Sequence, residues 1–370
     1  MKIKGTHHHT IWINKTNPAI VEVIDQRKLP FCFEVFQLLT PGDAYFAIKE
    51  MVVRGAPLIG ITAAYGMYLA LFNLKTTNFE QEIRAVGNHL KTARPTAVNL
   101  AFAVDELLNF ILENKNKKAL TELVLAKVEA LKQEEINFGA AIGEHGLKLI
   151  EAIYKKKGAV VNILTHCNAG WLACIDWGTA TAPIYKAFLK GIPVHVWVDE
   201  TRPRNQGARL TAYELGEQGV PHTVIPDNTG GHLMQHGKVD LVIVGSDRTT
   251  STGDVANKIG TYLKALAAFD NKIPFYVALP SSTFDWEMTD GLKEIPIEER
   301  DGTEVAEIEG WHENELKSVN LIPENSKVAN YGFDVTPARL VTALISERGI
   351  CKANKKSISE MYPDKIKNKL

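Results

Sequence analysis

Two short motifs carry side chains suited to acid–base work on a small molecule, and each begins where an apolar run stops. Val160–Thr165 leads into Thr165-His166-Cys167-Asn168-Ala169-Gly170, and Leu241–Val244 leads into Gly245-Ser246-Asp247-Arg248. A thiol at a strand end and beside a helix start feels the positive end of the helix and nearby backbone N–H groups, which favour the thiolate. On that reading Cys167 is the most readily alkylated of Cys32, Cys167, Cys174 and Cys351. The plainer reading makes it a small buried filler, as most free cysteines are. A carboxyl group at the end of a wholly apolar strand is partly desolvated, so Asp247 can stay protonated near neutrality and donate a proton. The plainer alternative is an Asp that pairs with Arg248 or caps a helix. Together Cys167 and Asp247 form an acid/base pair if their strands are neighbours.

Three further stretches place cations and backbone N–H groups where a helix is expected to begin. Arg54-Gly55-Ala56 precedes Pro57, a favoured first helical residue, and Arg94-Pro95-Thr96 repeats the arrangement. Gly253-Asp254-Val255-Ala256-Asn257-Lys258 is expected to open a helix with an amide and an ammonium in its first turn. Three cationic helix starts in a nearly neutral protein point to a small anionic ligand such as a phosphate ester. The chain has neither a Walker-type Gly-Lys-Ser/Thr stretch nor a Gly-x-Gly-x-x-Gly after the first strand, so no nucleotide cofactor is expected.

Metal chemistry has little support. Cys167 and Cys174 are spaced unlike the common zinc motifs, and four scattered cysteines make no disulfide framework. His232 and His236 stand at i and i+4 with no acid between them and no evident third ligand. His7, His8 and His9 read as part of a solvated, disordered terminus rather than a metal-binding tract. No metal and no cofactor is therefore expected.

The elements that must hold these residues fall into two textures meeting near residue 155. Before it the chain reads as helices after a small β element, in which Thr10–Asn14 and Ala19–Ile24 can pair. Pro57–Phe72 is almost wholly apolar and long enough for a buried helix; Ala97–Leu112 and Leu120–Phe138 have helical spacing with charged outer faces. After it, Val160–Thr165, Val194–Val198, His222–Ile225, Leu241–Val244 and Phe275–Ala278 are strand-length, without polar alternation, and separated by amphipathic stretches such as Ala180–Lys190 and Ala208–Gln218. Strands covered on both faces and linked by helices make a parallel sheet with right-handed crossovers. The expected fold class is α/β: a mainly helical N-terminal domain over residues 1–150, then a Rossmann-like domain over 151–370. Ligands of such sheets lie beyond the carboxyl ends of the strands, where Cys167 and Asp247 fall.

Bulk properties exclude other classes. With 42 basic and 43 acidic residues the net charge is −1, which argues against binding nucleic acid by bulk electrostatics. The chain contains no run of about 18 apolar residues to span a bilayer, its polar start reads as neither signal peptide nor organelle address, and free cysteines fit a reducing cytoplasm.

Several longer runs resemble the methylthioribose-1-phosphate isomerases, relatives of the regulatory subunits of initiation factor 2B. They are Val52–Gly66, Ala93–Val104, Ile163–Ala173, Val198–Leu215, Val242–Tyr262, Ile273–Asp285 and Ile295–Gly302, collinear with the family from about Thr10 to Gly349. The resemblance implies an intramolecular oxidoreductase in methionine salvage, a homodimer, that takes an aldose 1-phosphate to the ketose 1-phosphate. It puts substrate contacts on Arg54, Gly55, Ala56, Arg94, Gln206, Asn257 and Lys258, and catalysis on Cys167 and Asp247. Ala169, Gly230–Gly237 and Thr249–Thr252 depart from the family's commoner pattern. The latter two stretches are expected near carbon 5 of the sugar, which leaves 5-deoxyribose 1-phosphate and ribose 1,5-bisphosphate as alternative substrates. A non-catalytic subunit like those of initiation factor 2B is the alternative of another class; retention of both Cys167 and Asp247 argues for the enzyme.

Overall fold

The computed structural model describes residues 1–74, 78–94 and 98–367. The chain opens with a two-stranded hairpin, β1 (Lys2–Ile3) and β2 (Thr6–His7). An antiparallel three-stranded sheet of β3 (Ile11–Ile13), β4 (Val21–Ile24) and β5 (Val35–Leu38) comes next. The expected pairing of the Thr10 and Ala19 segments is thus present, with a third strand added. The N-terminal histidines are not a disordered tail: His7 lies in the hairpin, and the Met1 amino group is buried against Asp176. Local composition cannot reveal a contact 175 residues away.

Five helices then run in succession: α1 (Pro41–Lys49), α2 (Ala56–Ala70), α3 (Phe79–Lys91), α4 (described from Val98 to Asn114) and α5 (Leu120–Lys157). Every residue of α2 is buried, as its unbroken apolar sequence requires, and it forms the axis of the first core with Val104, Leu107 and Ile111 of α4. Pro95, Thr96 and Ala97, part of an expected cationic helix start, lie outside the described residues. Helix α5 serves both halves of the molecule. Its Val124, Val128 and Ile136 belong to the helical core, while Ile142, Leu147 and Ile150 pack on the sheet. The expected division between residues 150 and 151 falls within this helix.

The main sheet contains β6 (Val161–Thr165), β7 (Val194–Asp199), β8 (His222–Ile225), β9 (Leu241–Val244), β12 (Phe275–Ala278), β17 (Ala343–Ser346) and β18 (Gly349–Cys351). Helices α6 (Ala182–Leu189), α7 (Ala212–Glu217), α8 (Thr229–Gln235) and α9 (Thr261–Asp270) connect or cover its strands. The spatial order is β8-β7-β6-β9-β12-β17-β18, parallel except for the last pair. Successive residues of a strand face opposite sides. Accordingly Leu241 and Ile243 join one core with α5 and α6, and Val242 and Val244 join the other with α8 and α9. Both faces are therefore dry, which is why these strands show no polar alternation.

A second, four-stranded sheet stands beside the strand ends: β10 (Arg248–Thr250), β11 (Val255–Lys258), β13 (Phe284–Asp285) and β16 (Phe333–Thr336), in the order β13-β10-β11-β16. A separate hairpin of β14 (Glu307–His312) and β15 (Glu315–Asn320) completes the strands. The stretch expected to open a helix at Gly253–Lys258 is instead strand β11, and the helix begins only at Thr261 after Gly260, whose φ is +102°. Val255 and Ala256 are wholly buried, and pairing with β10 and β16 satisfies their backbone, so tertiary burial decides the local conformation. No helix among the described residues is long and apolar enough to cross a membrane.

Candidate active site

Numbering the six parallel strands by chain order gives 3-2-1-4-5-6, the order of doubly wound sheets, whose ligands sit where the connections diverge. That point lies between β6 and β9, which pair directly. Cys167 stands just beyond the first of these and Asp247 just beyond the second. One small cavity past them is lined by Met51, Arg54, Gly55, Ile59, Arg94, Cys167, Gln206, Asp247, Lys258 and Phe333. A larger cavity of about 330 Å³, lined by Phe102, Glu135 and Trp286 among others, lies elsewhere. Charge and reactive groups converge in the smaller one, and that convergence identifies it as the candidate site.

Cys167 sits in a left-handed backbone conformation, φ +66°, held from both sides. Its N–H donates to Thr201 Oγ1 at 2.9 Å, and its carbonyl accepts from Thr211 Oγ1 at 2.7 Å. A three-residue 3₁₀ turn, Trp171–Ala173, stands where a helix was expected after the cysteine, and Cys174 closes that turn in buried surroundings. The anticipated lowering of the thiol by a helix dipole is therefore overturned. Burial pushes the Cys167 thiol up, with Arg54 and Lys258 acting in the opposite direction.

Asp247 is half-buried and opens onto the same cavity. Burial pushes its carboxyl above the usual range, opposed by Arg54, Lys258 and Arg94. Its neighbour Arg248 forms an ion pair with Asp285 at 3.3 Å, and among the described residues no ion pair joins Arg248 to Asp247. The Asp247 N–H donates to the carbonyl of Ala256 at 2.9 Å, which ties the strand end to β11.

The cations come from three directions. Arg54 precedes α2 and is clamped on the loop after Cys167, donating to Asn168 Oδ1 at 2.5 Å and to its carbonyl at 2.7 Å. Arg94 is buried; its Nε lies 3.5 Å from Glu298, and among the described residues Nε and Nη1 have no hydrogen-bond partner. Lys258 ends β11, over the Phe333 ring, and burial pulls its ammonium down while Cys167 and Asp247 oppose that. Gln206 also reaches the cavity, with its buried Oε1 unpartnered among the described residues. A buried guanidinium and amide with open valences are costly unless something polar completes them.

Two of the residues singled out in the sequence lie off the cavity wall. Asn257 donates to Thr261 Oγ1 at 3.0 Å instead, since neighbours on a strand face opposite ways and Lys258 takes the inward position. Ala56 is the first residue of α2, packed in the interior. Gly230–Gly237 and Thr249–Thr252 do not line the cavity, contrary to the expectation for carbon 5. Gly230 faces Leu164 on the helical side of the sheet, and Thr249 and Thr250 are wholly buried in β10. His232 and His236 lie against each other with tilted rings, centroids 4.2 Å apart, and neither lines the cavity.

Sequence reasoning missed the groups that hold the loop. Buried His166 is fixed by Asp199 Oδ2 and by the carbonyl of Ile259, both at 2.8 Å, and Lys264 pairs with the same carboxylate at 3.2 Å. His166 adjoins Cys167 and Asp199 ends β7, so position at a strand end was the available signal. Asn168 joins the network by donating to Thr211 Oγ1 at 3.1 Å.

The fold and this cavity define a class. Residues 52–353 match the initiation factor 2 subunit family, and the chain belongs to it. Within that family it groups with the methylthioribose-1-phosphate isomerases. It is 58% identical to the protein of that name from Desulfatibacillum aliphaticivorans over 369 residues, 99% of this chain and 100% of the relative. Among solved structures, 5-methylthioribose 1-phosphate isomerase from Pyrococcus horikoshii superposes with a TM-score of 0.82 at 33% identity, covering 98% of this chain and all of that one. Translation initiation factor eIF-2B subunit delta from A. fulgidus gives 0.78 at 36%, covering 96% of this chain and all of the other.

Proposed function

We propose that this protein is an aldose–ketose isomerase that converts S-methyl-5-thioribose 1-phosphate to S-methyl-5-thioribulose 1-phosphate, a step of methionine salvage. The observation that carries the reading is one cavity at the sheet's switch point holding Cys167 and Asp247 among Arg54, Arg94 and Lys258. Three cations and the open valences of Arg94 suit a phosphate dianion, whose binding energy also positions carbons 1 and 2. A dianion nearby favours the protonated forms of both acids, so substrate binding itself readies Asp247 as a neutral proton donor.

Asp247 protonates the ring oxygen as its bond to carbon 1 breaks. The hydrogen on carbon 2 then moves to carbon 1, so carbon 2 is oxidised to the ketone and carbon 1 is reduced. The proton released from the carbon 2 hydroxyl restores the acid. Burial that keeps the Cys167 thiol protonated favours direct transfer of hydride over removal by a thiolate base, with Cys167 flanking the migrating hydrogen.

The apolar side chains at the cavity are Met51, Ile59 and Phe333, a surface for a methylthio group. The neighbouring cavity does contain Arg27, Arg204 and Arg209, yet these are paired with Asp25, Glu304 and Glu309 at 2.7, 3.0 and 2.7 Å. A second phosphate at carbon 5 therefore meets no unshared cation among them, and burying it costs several kcal/mol. Product assays on methylthioribose, 5-deoxyribose and ribose 1-phosphates and on ribose 1,5-bisphosphate test the assignment. The bisphosphate is expected to trail by at least about a hundredfold in kcat/KM, roughly 2.7 kcal/mol. A preference for it would sink the substrate while sparing the isomerase. The division at residues 150/151, a homodimer and a cytoplasmic setting belong to the same proposal; sedimentation of the purified chain tests the dimer.

A further inference from the structure

The loop bearing Cys167 is braced by the segment Cys174–Ala180. The N–H groups of Thr179 and Ala180 donate to the carbonyl of Ala169 at 2.9 and 3.0 Å, and Gly178 lies directly against Gly170. That brace is in turn gripped by the N-terminal hairpin through Asp176. His7 Nε2 lies 3.0 Å from Asp176 Oδ2, and His9 Nε2 lies 3.8 Å from the same oxygen. The three ligand atoms lie within 4.8 Å of one another.

The side chains alternate as an extended segment requires. His7 and His9 turn toward Asp176 with ring centroids 5.0 Å apart, whereas His8 turns away to pack on Phe33 at 5.3 Å. Ligands about 2.0–2.2 Å from a tetrahedral zinc ion are separated by roughly 3.3 Å along each edge. The 3.0 and 3.8 Å separations bracket that length, so small shifts of the rings would bring three donors onto one face of a tetrahedron. Two neutral imidazoles and a carboxylate are a donor set that zinc and its neighbours favour.

We propose that His7, His9 and Asp176 bind one divalent transition-metal ion of the zinc type, which fastens the N-terminal hairpin to the segment bracing the Cys167 loop. The ion is structural. None of its ligands lines the candidate active site, and a fourth position is left for water. The surrounding groups are compatible. The Met1 amino group and the Trp177 N–H, the latter at 2.9 Å, both sit on Asp176 Oδ1, which leaves Oδ2 to face His7 and His9. In the second cluster of this kind, His166, Asp199 and Asp227, the Lys264 ammonium already sits at 3.2 Å on Oδ2 of Asp199, the very oxygen that faces His166.

The test uses the full chain without a purification tag, dialysed against chelator and titrated with zinc chloride. One equivalent should bind and raise the melting temperature, and cobalt chloride should give the visible bands of a four-coordinate nitrogen–oxygen site without thiolate charge transfer. His7→Ala and His9→Ala should each weaken binding by at least about tenfold. The double variant should fold and show no rise in melting temperature when zinc is added. Asp176→Asn tests the third ligand and should weaken binding as the single histidine variants do. Failure of the parent to bind one equivalent, or undiminished binding by the double variant, would overturn the proposal.

Discussion

Cys167 and Asp247 share one cation-lined space, and each feels the same opposing influences. Burial favours their protonated forms, and Arg54 and Lys258 favour the ionised ones. For both, burial prevails. Cys167 should therefore alkylate more slowly than partly exposed Cys32, the reverse of what a helix dipole would give; mass spectrometry of limited iodoacetamide labelling measures the order. Cys167→Ser and Asp247→Asn should each fold and lose at least about two orders of magnitude in kcat. The sign of the pH dependence comes from Asp247. An acid that must be protonated works below its raised pKa, so kcat at saturating substrate should fall as pH rises through it. A kcat that climbs over that range would exclude the neutral acid. Turnover in D₂O separates the two routes for hydrogen: direct transfer leaves carbon 1 of the product free of solvent deuterium, whereas a thiolate base would let deuterium in.

At the scale of elements, the decisive joint is between the start of α2 and the turn after β6. Gly55 caps α2 at φ +94°, and a Cβ there would sit 2.4 Å from the carbonyl oxygen of Ala173. Only a residue without a side chain lets the two backbones meet, and that meeting brings Arg54 onto Asn168. Gly55→Ala combines a left-handed φ with a backbone clash, so it should cost at least about 2 kcal/mol in unfolding free energy. Its kcat/KM should fall further than that of Gly158→Ala, which also has a positive φ but meets nothing within 4 Å. Denaturant melts and steady-state kinetics of the two variants make the comparison. Equal losses would mean that strain alone, and not the placement of Arg54, is what the glycine controls.

For the whole molecule, the cavity is a seam. Arg54, Gly55 and Arg94 reach it from the helical part, and Cys167, Gln206, Asp247 and Lys258 reach it from the strand ends. An anion bound there contacts both parts and stabilises only the folded arrangement that unites them. Inorganic phosphate at 100 times its Kd should add about 2.7 kcal/mol to stability. The rise in melting temperature should shrink in Arg54→Ala and Arg94→Ala, and equal chloride should not reproduce it. An unchanged rise in both variants would place phosphate elsewhere.

Five of the seven strands of the main sheet were legible in the sequence, three of them to the residue: His222–Ile225, Leu241–Val244 and Phe275–Ala278; Ala343–Ser346 and Gly349–Cys351 were not. Those five were legible because an apolar run too short for a helix, with no polar alternation, has few other ways to be buried. The sequence also marked Cys167 and Asp247, since strand ends of a parallel sheet are where chemistry collects. Other features arise only from long-range packing. That β6 and β9 are neighbours, that Val255–Lys258 is a strand, and that His7 meets Asp176 all depend on segments distant in the chain. The protonation of Cys167 likewise reflects what surrounds it on every side. Local pattern encodes which side chains must leave water, whereas convergence and electrostatics are properties of the packing that results.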